Sequence, residues 1–117
     1  MKCHSEIKMI EIISKNKVVI HNKQIEFECM VEKIIEYEKL YVVMLQYDYY
    51  PGNNIIAYDF FGEKQWSIEE IIHFPYSEAY VDLAKAGDCL LDVISYSGVE
   101  FVFNVYTKEI VEKRITK

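Results

Sequence analysis

Three histidines and a group of aspartates are the residues that could carry acid–base chemistry in this sequence. His4, His21 and His73 fall in separate segments, with no spacing that brings two of them together. Surface or ordinary packing positions are therefore favoured over catalysis. Asp82, Asp88 and Asp92 could supply the carboxylate pair of a hydrolase across neighbouring strands, although strands with solvent-facing acids give the same pattern. A small hydrolase or isomerase using Asp82 and Asp92, or His73, is kept as an alternative.

The cysteines are odd in number and widely spaced, at Cys3, Cys29 and Cys89. This usage is typical of reduced thiols in a cytoplasmic protein rather than of a disulfide framework. There is no Cys-x-x-Cys or His-x₃-His pair, so we expect no structural zinc and no metal or redox cofactor. Cys89 has no paired histidine near it in the sequence, which favours a buried structural thiol over a nucleophile.

A second set of residues combines acids with tyrosines in or near predicted loops. Tyrosine supplies contact area at low entropic cost, and acids steer a basic partner during encounter. The sequence therefore predicts a partner-binding surface, with an ordinary solvated face as the alternative. Its members are Asp48, Tyr49, Tyr50, Glu63, Glu69, Glu70, Tyr76, Glu78 and Tyr80.

The formal charge of −6 is concentrated in the middle of the chain. Residues 51–104 contain two lysines and nine acids, whereas residues 105–117 contain four basic residues and two acids. Phosphate contacts need clustered Lys and Arg, so we expect no direct nucleic-acid ligand. A cationic protein partner, or solubility alone, accounts for the acidic charge.

The composition is that of one compact domain covering residues 1–117. Hydrophobic residues make up 51% of the chain, and only four glycines and two prolines occur, which argues against disorder and linkers. No stretch approaches the roughly 20 apolar residues of a membrane span, and the N-terminal residues lack the apolar core of a signal peptide. We therefore expect a cytoplasmic protein that is not bound to a membrane.

Residues 53–68 are predicted to form the hairpin around which the chain is organised. Asp59 can accept hydrogen bonds from backbone amides just ahead of it, and Gly62 can adopt a positive φ, so a tight turn is expected there. The strand after the turn is predicted to place Trp66, the only tryptophan, in the core. Ser67 and Glu70 then have the spacing of a capping box, which predicts a short helical turn over residues 67–73.

The rest of the chain has the pattern of short strands separated by tight turns. Residues 24–40 fit a helix by apolar spacing and strands by β-branched content, and we predict strands. Leu40 to Asp48 is apolar on both faces, which indicates a central strand. The fold class is therefore mainly β: an antiparallel meander, as a twisted sheet, open barrel or sandwich, with at most one or two short helices. Further strands are predicted over residues 7–14, 18–21, 79–85, 89–95, 99–104 and 110–115.

Two segments are related by a faint internal repeat, with Asp59 aligned on Asn104 and Trp66 on Val111. The first reads Ile-Ala-Tyr-Asp-Phe-Phe-Gly-Glu-Lys-Gln-Trp and the second Phe-Val-Phe-Asn-Val-Tyr-Thr-Lys-Glu-Ile-Val. They resemble blades of the PQQ-type β-propeller family, which often read aromatic-x-x-Asp-x-x-x-Gly-Lys-x-x-Trp. The resemblance covers about a quarter of the chain and implies blade-like sheets without a cofactor site. Since a propeller needs about four or more blades, we do not expect this chain to close one.

These observations favour a non-enzymatic binding protein that occupies a basic partner. In size, charge and composition the chain resembles the small bacterial immunity proteins that neutralise toxins, and this resemblance implies an inhibitor of a basic toxin domain. Two alternatives from other classes remain: the small hydrolase or isomerase, and a structural subunit whose exposed strand edges pair in a homo-oligomer, for example a homodimer.

Overall fold

The structure, a computed structural model, describes residues 10–47, 52–75 and 77–115. These residues form antiparallel strands and one short 3₁₀ turn, Ile68–Glu70, which confirms the mainly-β prediction. The strands are β1 (Ile10–Ser14), β2 (Lys17–Ile20), β3 (Lys23–Glu26), β4 (Val31–Glu36), β5 (Leu40–Leu45), β6 (Ile55–Asp59), β7 (Lys64–Ser67), β8 (Tyr80–Lys85), β9 (Leu90–Ser95), β10 (Val99–Asn104) and β11 (Ile110–Ile115). No helix in the described ranges is long and apolar enough to cross a membrane.

The strands are divided among three sheets in chain order. The first sheet has the order β1-β2-β3, the middle sheet β4-β5-β6-β7 and the last sheet β8-β9-β10-β11. Every pairing joins strands that are consecutive in the sequence, and every pairing is antiparallel. The predicted meander is therefore present, and it is broken twice, where the chain leaves one sheet and begins the next.

The middle sheet is covered on both faces, which explains the apolar run of β5. Tyr41, Val43 and Leu45 pack with residues of the first sheet, including Val18 and Ile20. The alternate residues of β5 face the opposite cluster, which the middle sheet shares with the last sheet. All six residues of β5 are buried, so its prediction as a central strand is confirmed.

Residues 24–40 form strands, as predicted, and contain no helix. Phe27, on the apolar stripe of the alternative helix, is buried in the cluster between the first and middle sheets, whereas Met30 of the same stripe is 37% exposed. β4 instead bonds along its length to the buried strand β5. Tertiary pairing thus decides between two local patterns that the sequence leaves nearly equal.

The organising hairpin consists of β6, a tight turn and β7. Asp59 Oδ1 accepts the backbone N–H groups of Phe61 and Glu63, both at 2.9 Å, and Gly62 has a φ of +85°. The hairpin between β10 and β11 is closed in a related way, since Asn104 Oδ1 accepts two backbone N–H groups of its own turn. Lys108 occupies the left-handed position there, at φ +70°. The two repeated segments therefore form two similar turns.

Candidate functional site

Asn54 fixes the end of the molecule at which the candidate site lies. It is fully buried between the middle and last sheets, and its side-chain amide donates to the carbonyl oxygens of Leu45 and Tyr80, both at 2.9 Å. Its Oδ1 accepts the backbone N–H of Tyr80 at 2.9 Å. One side chain therefore joins β5, β6 and the start of β8. Beside it, Asn53 Oδ1 accepts the backbone N–H of Glu69 at 3.0 Å.

An open cleft of about 360 Å³ lies at this end, between the segment that follows β7 and the start of β8. Among the predicted site residues it brings together Glu69, Glu78 and Tyr80. No lysine or arginine is among the described residues that line it, so its wall is acidic and aromatic. The lining, which we call the acidic cleft, consists of Glu69, Ile72, His73, Phe74, Pro75, Ser77, Glu78 and Tyr80.

Glu78 is held in place before any ligand arrives. Its Oε2 accepts the backbone N–H of Ser97 at 3.1 Å and also the Ser97 hydroxyl. Its backbone lies against Gly52, where an added Cβ would stand 2.9 Å from the Glu78 carbonyl oxygen. A side chain at position 52 would therefore displace Glu78, so the glycine permits this close approach. Glu78 is therefore held through its carboxylate by Ser97 and approached closely at its backbone by Gly52, two segments that are distant from it in the sequence.

Tyr80 forms the buried wall of the acidic cleft, with 2% of its surface exposed. Burial, followed by the negative charges of Glu78 and Glu69, raises the pKa of its hydroxyl above the ordinary value. The hydroxyl therefore stays protonated at neutral pH and can both donate and accept a hydrogen bond. It does not serve as an anionic base in this environment.

The partner-binding surface predicted from the sequence omits two features of this end. His73, which the sequence analysis names only as a catalytic candidate, lines the cleft and is exposed. Tyr47 and Tyr96 form an exposed ring pair with centroids 5.7 Å apart, joining the end of β5 to the turn between β9 and β10. Tyr96 directly precedes Ser97, which holds Glu78. The acid–tyrosine pattern was a usable signal, but Tyr96 lies far from the other members along the chain.

The remaining predicted site residues do not all lie together. Glu63 is in the turn before β7, at the opposite end of that strand from the cleft, and forms an ion pair with Lys23 at 3.0 Å. Glu70 instead accepts from the backbone N–H and the hydroxyl of Ser67, as the capping-box spacing predicts. Four members, Asp48, Tyr49, Tyr50 and Tyr76, lie outside the described residues.

Asp82 and Asp92, the candidate catalytic pair of the hydrolase hypothesis, have different neighbours in the structure. Asp82 is hydrogen-bonded to Lys33 at 3.0 Å, and this bond lowers the pKa of its carboxyl group. Asp92 lies on the outer face of the last sheet, where its carboxyl group interacts with that of Glu100. Burial and then Glu100 raise the pKa of Asp92 to about 6. Each of the two aspartates therefore has a partner of its own.

The raised pKa of Asp92 predicts a pH-dependent stability. The unfolded chain loses this proton near the ordinary value and the folded chain near pH 6, so this group makes stability fall as pH rises between those values. Asp92→Asn removes this contribution, so the variant should gain stability relative to wild type as pH rises from about 4 to 7. Urea unfolding across that range measures the difference. Asp88→Asn, in the exposed turn before β9, is the control, and equal profiles for Asp92→Asn and wild type would contradict the assignment.

The described residues contain no group of three or more His, Cys, Asp or Glu side chains arranged to hold a metal ion. Cys29 and Cys89 are free thiols, and Cys29 is buried. Desolvation raises the pKa of the Cys29 thiol, so the reactive thiolate is disfavoured at neutral pH. Cys29 is thus a structural thiol.

Comparison with known proteins gives a fold likeness and a family. No curated protein matches the chain. A crystal structure of BBS1N in complex with ARL6DN, soaked with lead, is similar in fold, with a TM-score of 0.52 and 19% identity. The likeness covers 86% of this chain and 32% of the other, so this chain spans about a third of that one. A family model matches residues 8–115, and the chain therefore belongs to the family described as a domain of unknown function, DUF7957.

Proposed function

We propose that this protein is a non-enzymatic binding domain that takes a cationic segment of a partner protein into the acidic cleft. The observation that carries the proposal is the convergence of Glu69, Glu78 and Tyr80 on one cleft without a lysine or arginine among its described lining residues. The charge of the chain supports it, since two lysines face nine acids in residues 51–104. Such a field attracts a basic partner and speeds its encounter.

The chemistry of the cleft suits a lysine ammonium or an arginine guanidinium group. Glu69 is exposed and available as a charged acceptor, while Glu78 is already oriented by Ser97. A preorganised acceptor lowers the entropic cost of binding, because the side chain need not be ordered by the ligand. Tyr96 directly precedes Ser97, which holds Glu78, and its exposed ring is paired with that of Tyr47, so aromatic surface of the kind that attracts cations continues from this segment.

The specific form of this function that we propose is inhibition of a basic toxin domain. An inhibitor needs a small, stable scaffold and a surface of opposite charge, and the acidic middle segment supplies that charge. Co-expression with a candidate basic toxin from the same gene neighbourhood tests this form: rescue of growth is expected, and Glu69→Gln combined with Glu78→Gln should reduce the rescue. If the wild-type protein relieves the growth arrest caused by none of these toxins, the proposed inhibition is contradicted.

Binding to the cleft itself is tested with defined peptides. We expect a tetralysine or tetra-arginine peptide to shift amide resonances of residues 69–80 and 95–98, and a tetraglutamate peptide to leave them unchanged. Glu69→Gln and Glu78→Gln should each weaken binding by about three- to tenfold, because one partly exposed ion pair is lost. Affinity should also fall as salt is raised, since screening acts over about 8–10 Å.

The control variant is Glu63→Gln, which removes an acid of equal charge at the other end of β7. It should leave peptide affinity nearly unchanged. Resonance shifts located away from the cleft, or equal weakening by Glu63→Gln and Glu69→Gln, would show that the acids act as a diffuse solvated surface and would overturn the proposal.

A further inference from the structure

Tyr80 brings a hydroxyl group into the acidic cleft that is not used within the described part of the chain. Its side chain is 2% exposed and lines the cleft. The hydrogen bonds that Asn54 makes with Tyr80 involve its backbone N–H and carbonyl group, not its hydroxyl. The described buried side-chain atoms without a partner are Gln46 Oε1 and Asp92 Oδ1, so the Tyr80 hydroxyl is not sealed in the core. It is therefore presented to the space of the cleft as a hydrogen-bonding group.

The two carboxylates of the cleft lie near this hydroxyl. After burial, the negative charges of Glu78 and then of Glu69 are what raise the pKa of Tyr80, so both charges act on the same group. The backbone of Glu69 is fixed by Asn53, whose Oδ1 accepts its N–H at 3.0 Å. Two carboxylates and one hydroxyl, carried by separate segments, thus border one small space.

Ser97 leaves a single oxygen of Glu78 for a ligand. Glu78 Oε2 accepts the backbone N–H of Ser97 at 3.1 Å and the Ser97 hydroxyl. A carboxylate oxygen has two lone pairs, so these two bonds occupy Oε2. The Glu78 residue is only 9% exposed, and turning Oε2 toward the cleft would break both bonds. Oε1, to which neither Ser97 group bonds, is the remaining acceptor.

This arrangement distinguishes between the two cationic side chains of proteins. A guanidinium group is a planar fork that pairs best with both oxygens of one carboxylate. Glu78 cannot accept such a fork, because Oε2 is occupied. An ammonium group is compact, and its three donors can be directed to three separate acceptors. Glu69, Glu78 Oε1 and the Tyr80 hydroxyl are three such acceptors.

We infer that the acidic cleft is a site for a primary ammonium group, and that the side chain it takes from its partner is lysine rather than arginine. The ammonium donates to Glu78 Oε1, to the Glu69 carboxylate and to the Tyr80 hydroxyl. Ser97 determines the specificity, since its two bonds to Glu78 exclude the bidentate pairing that arginine would use. The inference rests on the proposed function, because it names the cation that the cleft recognises.

Blocked pentapeptides with one central cation between glycines test the inference at neutral pH. The lysine peptide should bind about five times more tightly than the arginine peptide. The trimethyl-lysine peptide keeps the charge and loses all three donors, so it should bind about ten times more weakly than the lysine peptide. Titration of the amide resonances of residues 69–80 measures these affinities. An unblocked pentaglycine amide supplies an N-terminal ammonium instead, and binding as tight as that of the lysine peptide would overturn the assignment to a lysine side chain.

Two variants test the acceptors separately. Tyr80→Phe removes the hydroxyl and keeps the ring, so it should weaken binding of the lysine peptide about three- to tenfold and leave the urea midpoint close to that of wild type. Ser97→Ala frees one lone pair of Glu78 Oε2 and should reduce the preference for lysine over arginine to about twofold or less. Ser77→Ala is the control, because Ser77 lines the same cleft and its hydroxyl is not the one that bonds to Glu78.

The outcomes separate this inference from the function on which it rests. If no peptide shifts the resonances of the cleft, the proposed function and the inference both fail. If the arginine or the trimethyl-lysine peptide binds as tightly as the lysine peptide, the cleft still binds cations and the assignment to lysine is overturned. Unchanged affinity for lysine in Tyr80→Phe, or an unchanged preference in Ser97→Ala, would also overturn it.

Discussion

Replacing Trp66 with alanine is expected to lower the free energy of unfolding by about 3–5 kcal/mol. Trp66 is 1% exposed and packs edge-to-face on Phe103, with ring centroids 5.5 Å apart. Its indole N–H donates to the Val105 carbonyl oxygen at 2.8 Å. The side chain therefore joins the middle and last sheets by packing and by a buried hydrogen bond. Removing it leaves a cavity and an acceptor without its donor.

Urea unfolding measures this effect through the transition midpoint. Trp66→Phe is the matched variant, because it keeps an aromatic ring in the core and loses the indole hydrogen bond. The transition midpoint of Trp66→Phe should lie between those of wild type and Trp66→Ala. Its loss of stability relative to wild type measures the combined effect of the missing hydrogen bond and the smaller ring. A midpoint for Trp66→Ala within experimental error of wild type would show that the core is not centred on this residue.

Replacing Asn54 with alanine is expected to cost about 3 kcal/mol or more. The change removes three hydrogen bonds and leaves the Leu45 carbonyl and both backbone polar groups of Tyr80 without those partners in a buried position. Buried polar groups that lose a partner are more costly than the average hydrogen bond is stabilising. Because these bonds fix the start of β8, the acidic cleft should also lose its shape.

Two further variants separate the hydrogen bonds from side-chain size. Asn54→Asp keeps the shape and the acceptor for Tyr80 N–H but places a carboxylate against two carbonyl oxygens. It should be strongly destabilised at pH 7 and recover part of the loss in acid, where the carboxyl group can be protonated and donate. Asn16→Ala is the control, since Asn16 donates one part-buried bond, to Phe27 O, and a loss of about 1 kcal/mol is expected. Equal losses for Asn16→Ala and Asn54→Ala would contradict the role of Asn54.

Local structure could be predicted from the sequence wherever a few adjacent residues determine it. Asp59 and Gly62 determine a turn by their own chemistry, and Ser67 with Glu70 determines the first turn of a short helix, so these predictions are confirmed. The apolar run of β5 likewise carries its own burial pattern. The two breaks between sheets could not be predicted from the sequence. The point at which the chain leaves one sheet depends on which strands stack on each other and not on the residues of the connection.

The candidate site could be predicted from the sequence only in part, for a similar reason. Glu69, Glu78 and Tyr80 lie close in sequence, and an acid–tyrosine pattern found them. Their placement depends on residues distant in the sequence: Asn53 bonds to Glu69, Asn54 to Tyr80 and Ser97 to Glu78. Nothing in the local pattern distinguishes Glu63 from Glu69, although the structure places them at opposite ends of β7. Long-range contacts therefore decide which acids form a site.

Because the middle sheet has a core cluster on each of its faces, the protein is a short linear array in which each layer is stabilised by its immediate neighbour. The first sheet contributes one such boundary, whereas the middle sheet contributes two. In an array of this kind stability is a sum of layer and boundary contributions, and the terminal layer with fewer buried groups opens first. Amide hydrogens of β1–β3 should then exchange through a local opening that leaves the other layers folded, and those of β5 only when the whole chain unfolds.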